Sequence, residues 1–218
     1  MHRVQVAVLG VALLAGCAGA EEAGTADPVD IAKIGQVKST FGPEFEVTEK
    51  SSGLDPKMLE NQKPPEGVKF EPAACAEFAS MQTLPADLKG NMSAVIAEGA
   101  GNRLVAIALE TSQQVPLNDP TDECAKFSYA AGATRGTIES VPAPPVDGVR
   151  TMGVHRVVQA AIDGKVQTGE VYSYVAQFGD YQVIVTANPL VVPDQPPAPV
   201  DIKRAEALLV DAVAAIRG

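Results

Sequence analysis

Residues 149–187 read VRTMGVHRVVQAAIDGKVQTGEVYSYVAQFGDYQVIVTA, and this stretch decides the fold. Runs rich in β-branched and aromatic residues cover 149–162, 165–178 and 181–187, separated by the dipeptides Asp163-Gly164 and Gly179-Asp180. Such dipeptides are typical of two-residue hairpin turns, whose twist matches that of the flanking strands. The pattern therefore predicts a three-strand antiparallel meander.

The short turns fix the register of this meander, so cross-strand neighbours can be counted. If Ile162 faces Lys165, then His155 lies opposite Tyr172 on the next strand. Because side chains alternate along a strand, one face collects most of the tyrosines. We predict that this face carries His155, Glu170, Tyr172, Tyr174, Phe178, Tyr181, Val183 and Val185.

The tyrosine-rich face has more than one interpretation. Helices packed on the sheet would bury the rings and leave the tyrosine hydroxyl groups at the rim. Alternatively, the rings form the apolar floor of a pocket in which a few polar groups converge. The candidate ligand-binding residues are then His155, Glu170, Tyr172, Tyr174 and Tyr181.

A catalytic pair of His155 and Glu170 is a third interpretation, but no nucleophile motif accompanies it. The sequence has no G-x-S-x-G, H-E-x-x-H, C-x-x-C or P-loop pattern. We therefore expect a protein that is not an enzyme, with no catalytic residue, no metal site and no cofactor.

The rest of the chain predicts an α+β domain with a mostly antiparallel sheet and helices packed on it. Strands over 45–50 and 134–141 and a hairpin over 91–98 and 103–110 precede the meander, residues 51–67 are mostly loop, and an amphipathic helix over 201–217 follows. Shorter helices are expected to begin at Asp27-Pro28 and at Asp119-Pro120, because a capping Asp followed by Pro is a helix-start signal. Another is expected to begin at Pro72, because proline is favoured at the first helical position.

Two of the three cysteines, Cys75 and Cys124, fall near the starts of two of these short helices. An even pair in an exported chain most simply forms a disulfide, which would join the two helices. The alternative is a nucleophilic or metal-binding thiol. That role would need a nearby histidine, and His155 is the only histidine beyond the start of the chain.

The first residues of the chain predict export. His2 and Arg3 precede an apolar run over 4–14, and small residues then lead to Cys17. This is the pattern of a secretory signal peptide, which is too short to remain as a membrane span. Its ending, LAGC, resembles a bacterial lipobox, in which the cysteine carries a diacylglycerol after cleavage. The alternative is an ordinary signal peptide with an incidental cysteine.

These features predict three parts of the chain: a signal peptide over 1–16, a lipidated Cys17 with a flexible tether to residue 26, and one domain over 27–218. The net charge of −10 excludes the basic surface that nucleic-acid binding needs. It also keeps the domain off anionic lipid head groups, so membrane attachment would depend on the acyl chains of Cys17. We expect a protein of the cell envelope, on the outer side of the cytoplasmic membrane or at the cell surface.

With its lipobox, its Cys75 and Cys124 pair, its late meander and its C-terminal amphipathic helix, the chain resembles small exported lipoproteins of mycobacteria. It looks like one family of these that is defined only as a domain of unknown function. More distantly, it is similar to the extracellular sensor domains of mycobacterial Ser/Thr kinases. That resemblance implies an antiparallel sheet with helices, disulfides and a central cleft.

The expected function is non-enzymatic binding in a cleft beside the meander. The ligand would be a small amphipathic or apolar molecule, or another component of the envelope. The alternative is an adaptor that binds another envelope protein through a surface patch and has no ligand pocket.

Overall fold

A computed structural model of the chain describes residues 28–54, 67–79, 85, 87–162, 164–192 and 195–218. Its strands are β1 (Phe45–Gly53), β2 (Lys69–Glu71), β3 (Gly90–Gly99), β4 (Asn102–Thr111), β5 (Lys126–Ala131), β6 (Thr134–Val141), β7 (Arg150–Ile162), β8 (Lys165–Phe178) and β9 (Tyr181–Pro189). They form one antiparallel sheet in the order β1-β3-β4-β9-β8-β7-β6-β5-β2. Among the described residues, one α-helix, α1 (Ile202–Arg217), and three 3₁₀ helices, Ile31–Thr40, Ala73–Phe78 and Asp122–Cys124, accompany it. The α+β prediction is confirmed.

The meander has the predicted register. Ile162 pairs with Lys165, His155 pairs with Tyr172, and Phe178 of β8 pairs with Tyr181 of β9. In the second turn Gly179 has a φ of 56°, a conformation that costs glycine little because it has no Cβ. The primed turns that match strand twist need such an angle, so the turn residues set the register.

The face of the sheet that carries Tyr174, here called the front face, is covered by helices on only one side. The buried side of α1 packs with the first 3₁₀ helix against small and β-branched side chains of β3, β4, β8 and β9. Typical of these are Ala106, Val183 and Val185, which are fully buried. We call this part the helix-covered half. The front face of β2, β5, β6, β7 and the first part of β8 lies beyond the helices of the described residues and is called the open half.

The opposite face, here called the back face, has its own cover beneath the open half. Cys75 and Cys124 form a disulfide that joins the second and third 3₁₀ helices. Both cysteines are buried with Phe127 of β5, Ile138 of β6 and Val154 of β7. The predicted disulfide is confirmed, and it anchors a small core under the strands that lack helical cover in front.

The short helices differ from the prediction in type and in start. All three are 3₁₀ rather than α-helical. The first begins at Ile31 and is capped by Asp30, whose carboxylate accepts a hydrogen bond from the backbone N–H of Ala32 at 2.9 Å, so the expected helix start at Pro28 is wrong. Asp27 lies outside the described residues. The third begins at Asp122 after Thr121, because Asp119 forms an ion pair with Arg150 instead of capping the helix.

The strands β2 and β5 are missing from the sequence-based prediction, and β1 continues to Gly53 into a segment that was expected to be loop. Ser51 of β1 pairs with Ser93 of β3, and their hydroxyl oxygens are 2.9 Å apart. Cross-strand partners therefore extend β1 where composition suggested a loop. The predicted signal peptide, Cys17 and the tether lie outside the described residues. No helix among the described residues is long and apolar enough to span a membrane.

Candidate functional site

The structure separates the five predicted site residues. Tyr174 lies in the helix-covered half with only 1% of its surface exposed. Burial, together with the nearby Glu206 carboxylate on α1, raises the pKa of Tyr174 to about 12. Tyr174 is therefore buried by the helices packed on the sheet and is not exposed in a pocket.

Tyr181 lies at the end of the meander, near the turn to β8. Its ring stacks on Phe178 with 5.8 Å between the ring centroids, and its hydroxyl donates to Glu110 of β4 at 3.4 Å. Partial burial, and then the Glu110 carboxylate, raise the pKa of Tyr181. It is thus a rim residue that is distant along the strands from His155.

The other three residues form one cluster at the border of the open half. The rings of His155 and Tyr172 stack with 4.1 Å between centroids and an angle of 11° between planes. His155 Nε2 lies 2.9 Å from Glu170 Oε2, and because a carboxylate only accepts, the ring nitrogen donates this hydrogen bond. Burial and then the neighbouring Glu170 carboxylate raise the pKa of Tyr172. The register brings these three together as the turns predicted.

Two members of the cluster, His155 and Tyr172, belong to a polar row that crosses four strands. Lys126 of β5, Glu139 of β6, His155 and Tyr172 are successive cross-strand partners on the front face. Lys126 Nζ lies 2.8 Å from Glu139 Oε2. The hydrogen bond from Lys126 is the main cause that holds the pKa of the Glu139 carboxyl below its usual range. We call this set row 3.

Two further rows lie beside row 3, toward the turn between β7 and β8. Row 2 consists of Glu71, Ser128, Thr137, Val157 and Glu170, and row 1 consists of Lys69, Ala130, Arg135, Gln159 and Thr168. Each row runs from β2 to β8 through consecutive partners, and the two-residue period places all of these side chains on the front face.

The residues of rows 1 and 2 on β2, β5, β6 and β7 line a groove of about 640 Å³ on the open half. The lining comprises Lys69, Phe70, Glu71, Ser128, Tyr129, Ala130, Arg135, Gly136, Thr137, Val157 and Gln159. Phe70 and Tyr129 occupy middle positions in their strands, and their rings pack with Phe127 in the back-face core. The groove floor is therefore sheet backbone flanked by two rows of mostly polar side chains, a volume suited to a small-molecule ligand.

Sequence reasoning missed this groove because it missed β2 and β5. Without β5, nothing placed Ser128 and Ala130 beside Thr137 and Arg135. The available signal was the alternation in residues 126–131, KFSYAA, where Phe127 and Tyr129 face the core and the smaller residues face the groove. The three-residue β2 is too short to show a period.

The fold and groove define a class of protein: a disulfide-linked α+β domain whose antiparallel sheet is covered by helices on one half of one face. Within this class the chain belongs to a particular family, the domain of unknown function DUF5642, whose model matches residues 30–217. No curated protein matches the sequence.

Two solved structures are similar to this chain. One is the X-ray structure of an uncharacterised protein from Mycobacterium smegmatis, the Rv0999 ortholog. It shares 53% sequence identity, covers 88% of this chain and 99% of its own, and superimposes with a TM-score of 0.81. The other is the extracellular domain of PknH from Mycobacterium tuberculosis, with 13% identity, coverage of 86% and 92%, and a TM-score of 0.35. The expected membership of a family defined only as a domain of unknown function is confirmed, and the chain is similar to a mycobacterial protein.

Proposed function

We propose that this protein is a non-enzymatic binding protein of the cell envelope, tethered through a lipid on Cys17, and that it binds a small amphipathic ligand or envelope component in the groove. The observation that carries the proposal is the uneven cover of the front face. Helices cover one half, while in the part of the chain that the structure describes no helix covers rows 1 and 2, which border a groove of about 640 Å³.

The composition of the groove favours an amphipathic ligand. Ser128 and Thr137 supply hydroxyl groups, Gln159 supplies an amide, and Val157 and Ala130 supply apolar contact between them. Polar groups on both sides of these two apolar side chains could fix the orientation of a ligand that carries both polar and apolar parts. The cluster of His155, Glu170 and Tyr172 adjoins the groove through Val157, the cross-strand partner of Glu170.

The disulfide supports an extracytoplasmic location. Disulfides persist in oxidising compartments and are rare in the cytosol. The Cys75–Cys124 bond agrees with the signal-peptide pattern at the start of the sequence. The lipid anchor is tested by Cys17→Ala: the variant should leave the membrane fraction, and a variant that stays membrane-bound would overturn the anchor.

The test of ligand binding is mass spectrometry of small molecules that copurify with the folded protein. Val157→Trp places a large ring in the centre of row 2 and should remove the copurifying molecule. The matched control is Thr48→Trp, on an exposed back-face position of the edge strand β1. The chain has no other Trp, so the emission of the new side chain reports its burial in each variant. Equal recovery from both variants, or no bound molecule in the parent, would overturn the proposal.

The adaptor function remains a second candidate because β8 has an open edge. Its last pair with β9 is Tyr172 with Ala187, so residues 165–171 have no strand partner on that side among the described residues. Ile162 pairs with Lys165 across a two-residue turn, and hydrogen-bonded pairs then alternate along the two strands. The backbone N–H and C=O groups of Thr168 therefore point away from β7. Such an edge can accept a strand from a partner. Thr168→Pro should abolish in-cell crosslinking to a partner protein while leaving β7 pairing intact, and unchanged crosslinking would count against the adaptor.

A further inference from the structure

We propose that the groove selects an anionic amphiphile: its negative group lies between Lys69 and Arg135 in row 1, and its apolar chain runs toward the turn between β7 and β8. This inference rests on the proposed function and specifies the class of ligand. The distribution of charge over the rows and a second cavity that continues the groove support this class of ligand.

Row 1 is the positively charged row of the open half. Row 2 has the carboxylates Glu71 and Glu170 at its two ends, and row 3 contains the ion pair of Lys126 with Glu139. Row 1 contains two cations and no carboxylate. In a chain of net charge −10, this places a locally positive strip within an acidic surface. An anion is thus attracted to row 1 and repelled from both ends of row 2.

The two cations of row 1 are available to a ligand. Within the part of the chain that the structure describes, neither Lys69 nor Arg135 forms an ion pair, and both are exposed. They are two strands apart, about 10 Å between backbones from the usual strand spacing. Only the methyl group of Ala130 separates them. This gap accommodates a carboxylate or phosphate that contacts both side chains.

Arg135 is held in a defined position for such a contact. Its Nε donates to Gln159 Oε1 on β7 at 3.0 Å, which directs the guanidinium along row 1. The terminal N–H groups form no other hydrogen bond among the described residues and can bind two oxygens of one anion. The amide nitrogen of Gln159 adds a neutral donor at the same place.

An apolar extension begins where Arg135 and Gln159 end. A second cavity of about 410 Å³ shares Ala130, Arg135 and Gln159 with the groove. Its remaining lining includes Ala133, Ala161 and Val166. Val166 is on the front face and 65% exposed, which makes it one of the few large apolar side chains left in water. An apolar chain attached to an anion at Arg135 would cover it, which is favourable in proportion to the area removed from water.

The experiment compares amphiphiles that share one chain and differ in charge. Decyl phosphate, decanoate, decyl maltoside and decyltrimethylammonium are titrated into the purified protein by calorimetry, each below its micelle concentration, and inorganic phosphate is titrated separately. We expect decyl phosphate and decanoate to bind at least about tenfold more tightly than the neutral and cationic probes, as charge-assisted hydrogen bonds imply. Inorganic phosphate should bind far more weakly than decyl phosphate, because it lacks the chain.

Variants assign the two parts of the ligand to their residues. Lys69→Gln with Arg135→Gln should reduce the affinity for decyl phosphate about tenfold and leave decyl maltoside unchanged. Lys50→Gln with Lys203→Gln removes the same charge from exposed positions outside the groove and should have no such effect. Val166→Asn should lower the affinity for decyl phosphate and for decyl maltoside severalfold. Val191→Asn, at an 87% exposed valine outside both cavities, should leave both affinities unchanged. Circular dichroism confirms that each variant is folded.

The outcomes separate this inference from the proposed function. Equal affinity for the anionic and the neutral probes would overturn the anion preference. If Val157→Trp then abolished all binding, the groove would still be the binding site. Equal affinity for inorganic phosphate and decyl phosphate would overturn the amphiphile. If no probe binds and nothing copurifies with the parent protein, both proposals fail.

Discussion

Two tyrosines that are next neighbours on the front face of β8 show how the sheet divides. Tyr174 lies under α1, 1% exposed, with a pKa of about 12, whereas Tyr172 is partly exposed and stacks on His155. One step along the strand, on the same face, thus leads from the core to the rim of a groove. The difference arises from the helices and not from the sheet, because both halves share one hydrogen-bonded ladder.

The helices that cover the two halves lie on opposite faces of the sheet. The helix-covered half buries apolar side chains in front, against α1, and a smaller set behind, where Leu117 packs with Val175 and Ile184. The open half buries its apolar side chains behind, against the disulfide-linked helices. The open half can therefore keep lysine, arginine and glutamate side chains on its front face without losing a core. This arrangement leaves the polar rows of the open half accessible to solvent.

The largest expected effect is the loss of the disulfide. The bond closes a loop with a sequence separation of 49, so Cys75→Ala with Cys124→Ala should cost about 4 kcal/mol by the chain-entropy estimate. Hydrogen exchange should accelerate first in β5 and β6, which pack on the bond, and later in β3, β4 and β9. Uniform acceleration across the sheet would show that the two halves do not differ in local stability.

A cavity in the helix-covered half should have the next largest effect. Leu209 of α1 is fully buried against the sheet, so Leu209→Ala should lower the free energy of unfolding by about 3 kcal/mol in urea denaturation. The control is Val157→Ala in the groove, where water already reaches the side chain, and there we expect a loss below about 1 kcal/mol. Similar losses at the two sites would contradict the division of the front face.

The raised pKa of Tyr174 makes the helix-covered half sensitive to alkali. An unfolded tyrosine ionises near pH 10, while Tyr174 in the folded protein stays neutral to about 12. Between these values the unfolded state binds fewer protons, so stability falls as pH rises, by about 2 kcal/mol in total. Tyr174→Phe should remove most of this fall.

The measurement is urea denaturation from pH 9 to pH 12, with absorbance at 295 nm following the ionisation of the four tyrosines. Tyr172→Phe serves as the control, because Tyr172 is partly exposed and its pKa is raised by less. A pH dependence that is the same in both variants would contradict the assignment to Tyr174.

Gly153 marks the border between the halves. It pairs with Tyr174, and a Cβ there would lie 2.7 Å from the backbone oxygen of Val141 and 3.0 Å from the Tyr174 ring. Gly153→Ala should therefore destabilise the protein by about 1–2 kcal/mol. The matched control is Gly169→Ala on β8, where nothing lies within 4 Å of the new methyl group, and stability should stay the same or rise slightly. If both substitutions behave alike, close packing at the border is not what Gly153 provides.

The sequence predicted most of the helix-covered half because its elements are long and periodic. Two-residue turns fixed the meander register, and the stripe of Ala205, Leu209 and Ile216 marked α1. The same register predicted the contact of His155 with Glu170 and Tyr172. The groove was not predictable in this way, because β2 and β5 are short and their pairing joins residues that are distant in the chain, which no local period reveals.

The smallest expected effect concerns row 3, and it bears most directly on why the open half is polar. Lys126 and Glu139 are 64% and 40% exposed, and exposed ion pairs contribute little because water and salt screen them. A double-mutant cycle of Lys126→Gln and Glu139→Gln should give a coupling of a few tenths of a kcal/mol at pH 7. Because the folded-state pKa of Glu139 is lowered, this coupling is present above its ordinary value and is lost as pH falls through the lowered one.

A coupling of 2 kcal/mol or more, measured by urea denaturation at pH 7 and pH 3, would mean that row 3 stabilises the fold in place of the missing helical cover. A coupling near zero means that stability does not explain why charged side chains line this half. In that case contact with a ligand explains the polar rows better than stability does. Substitutions in these rows should then change the affinity of the groove for a charged probe.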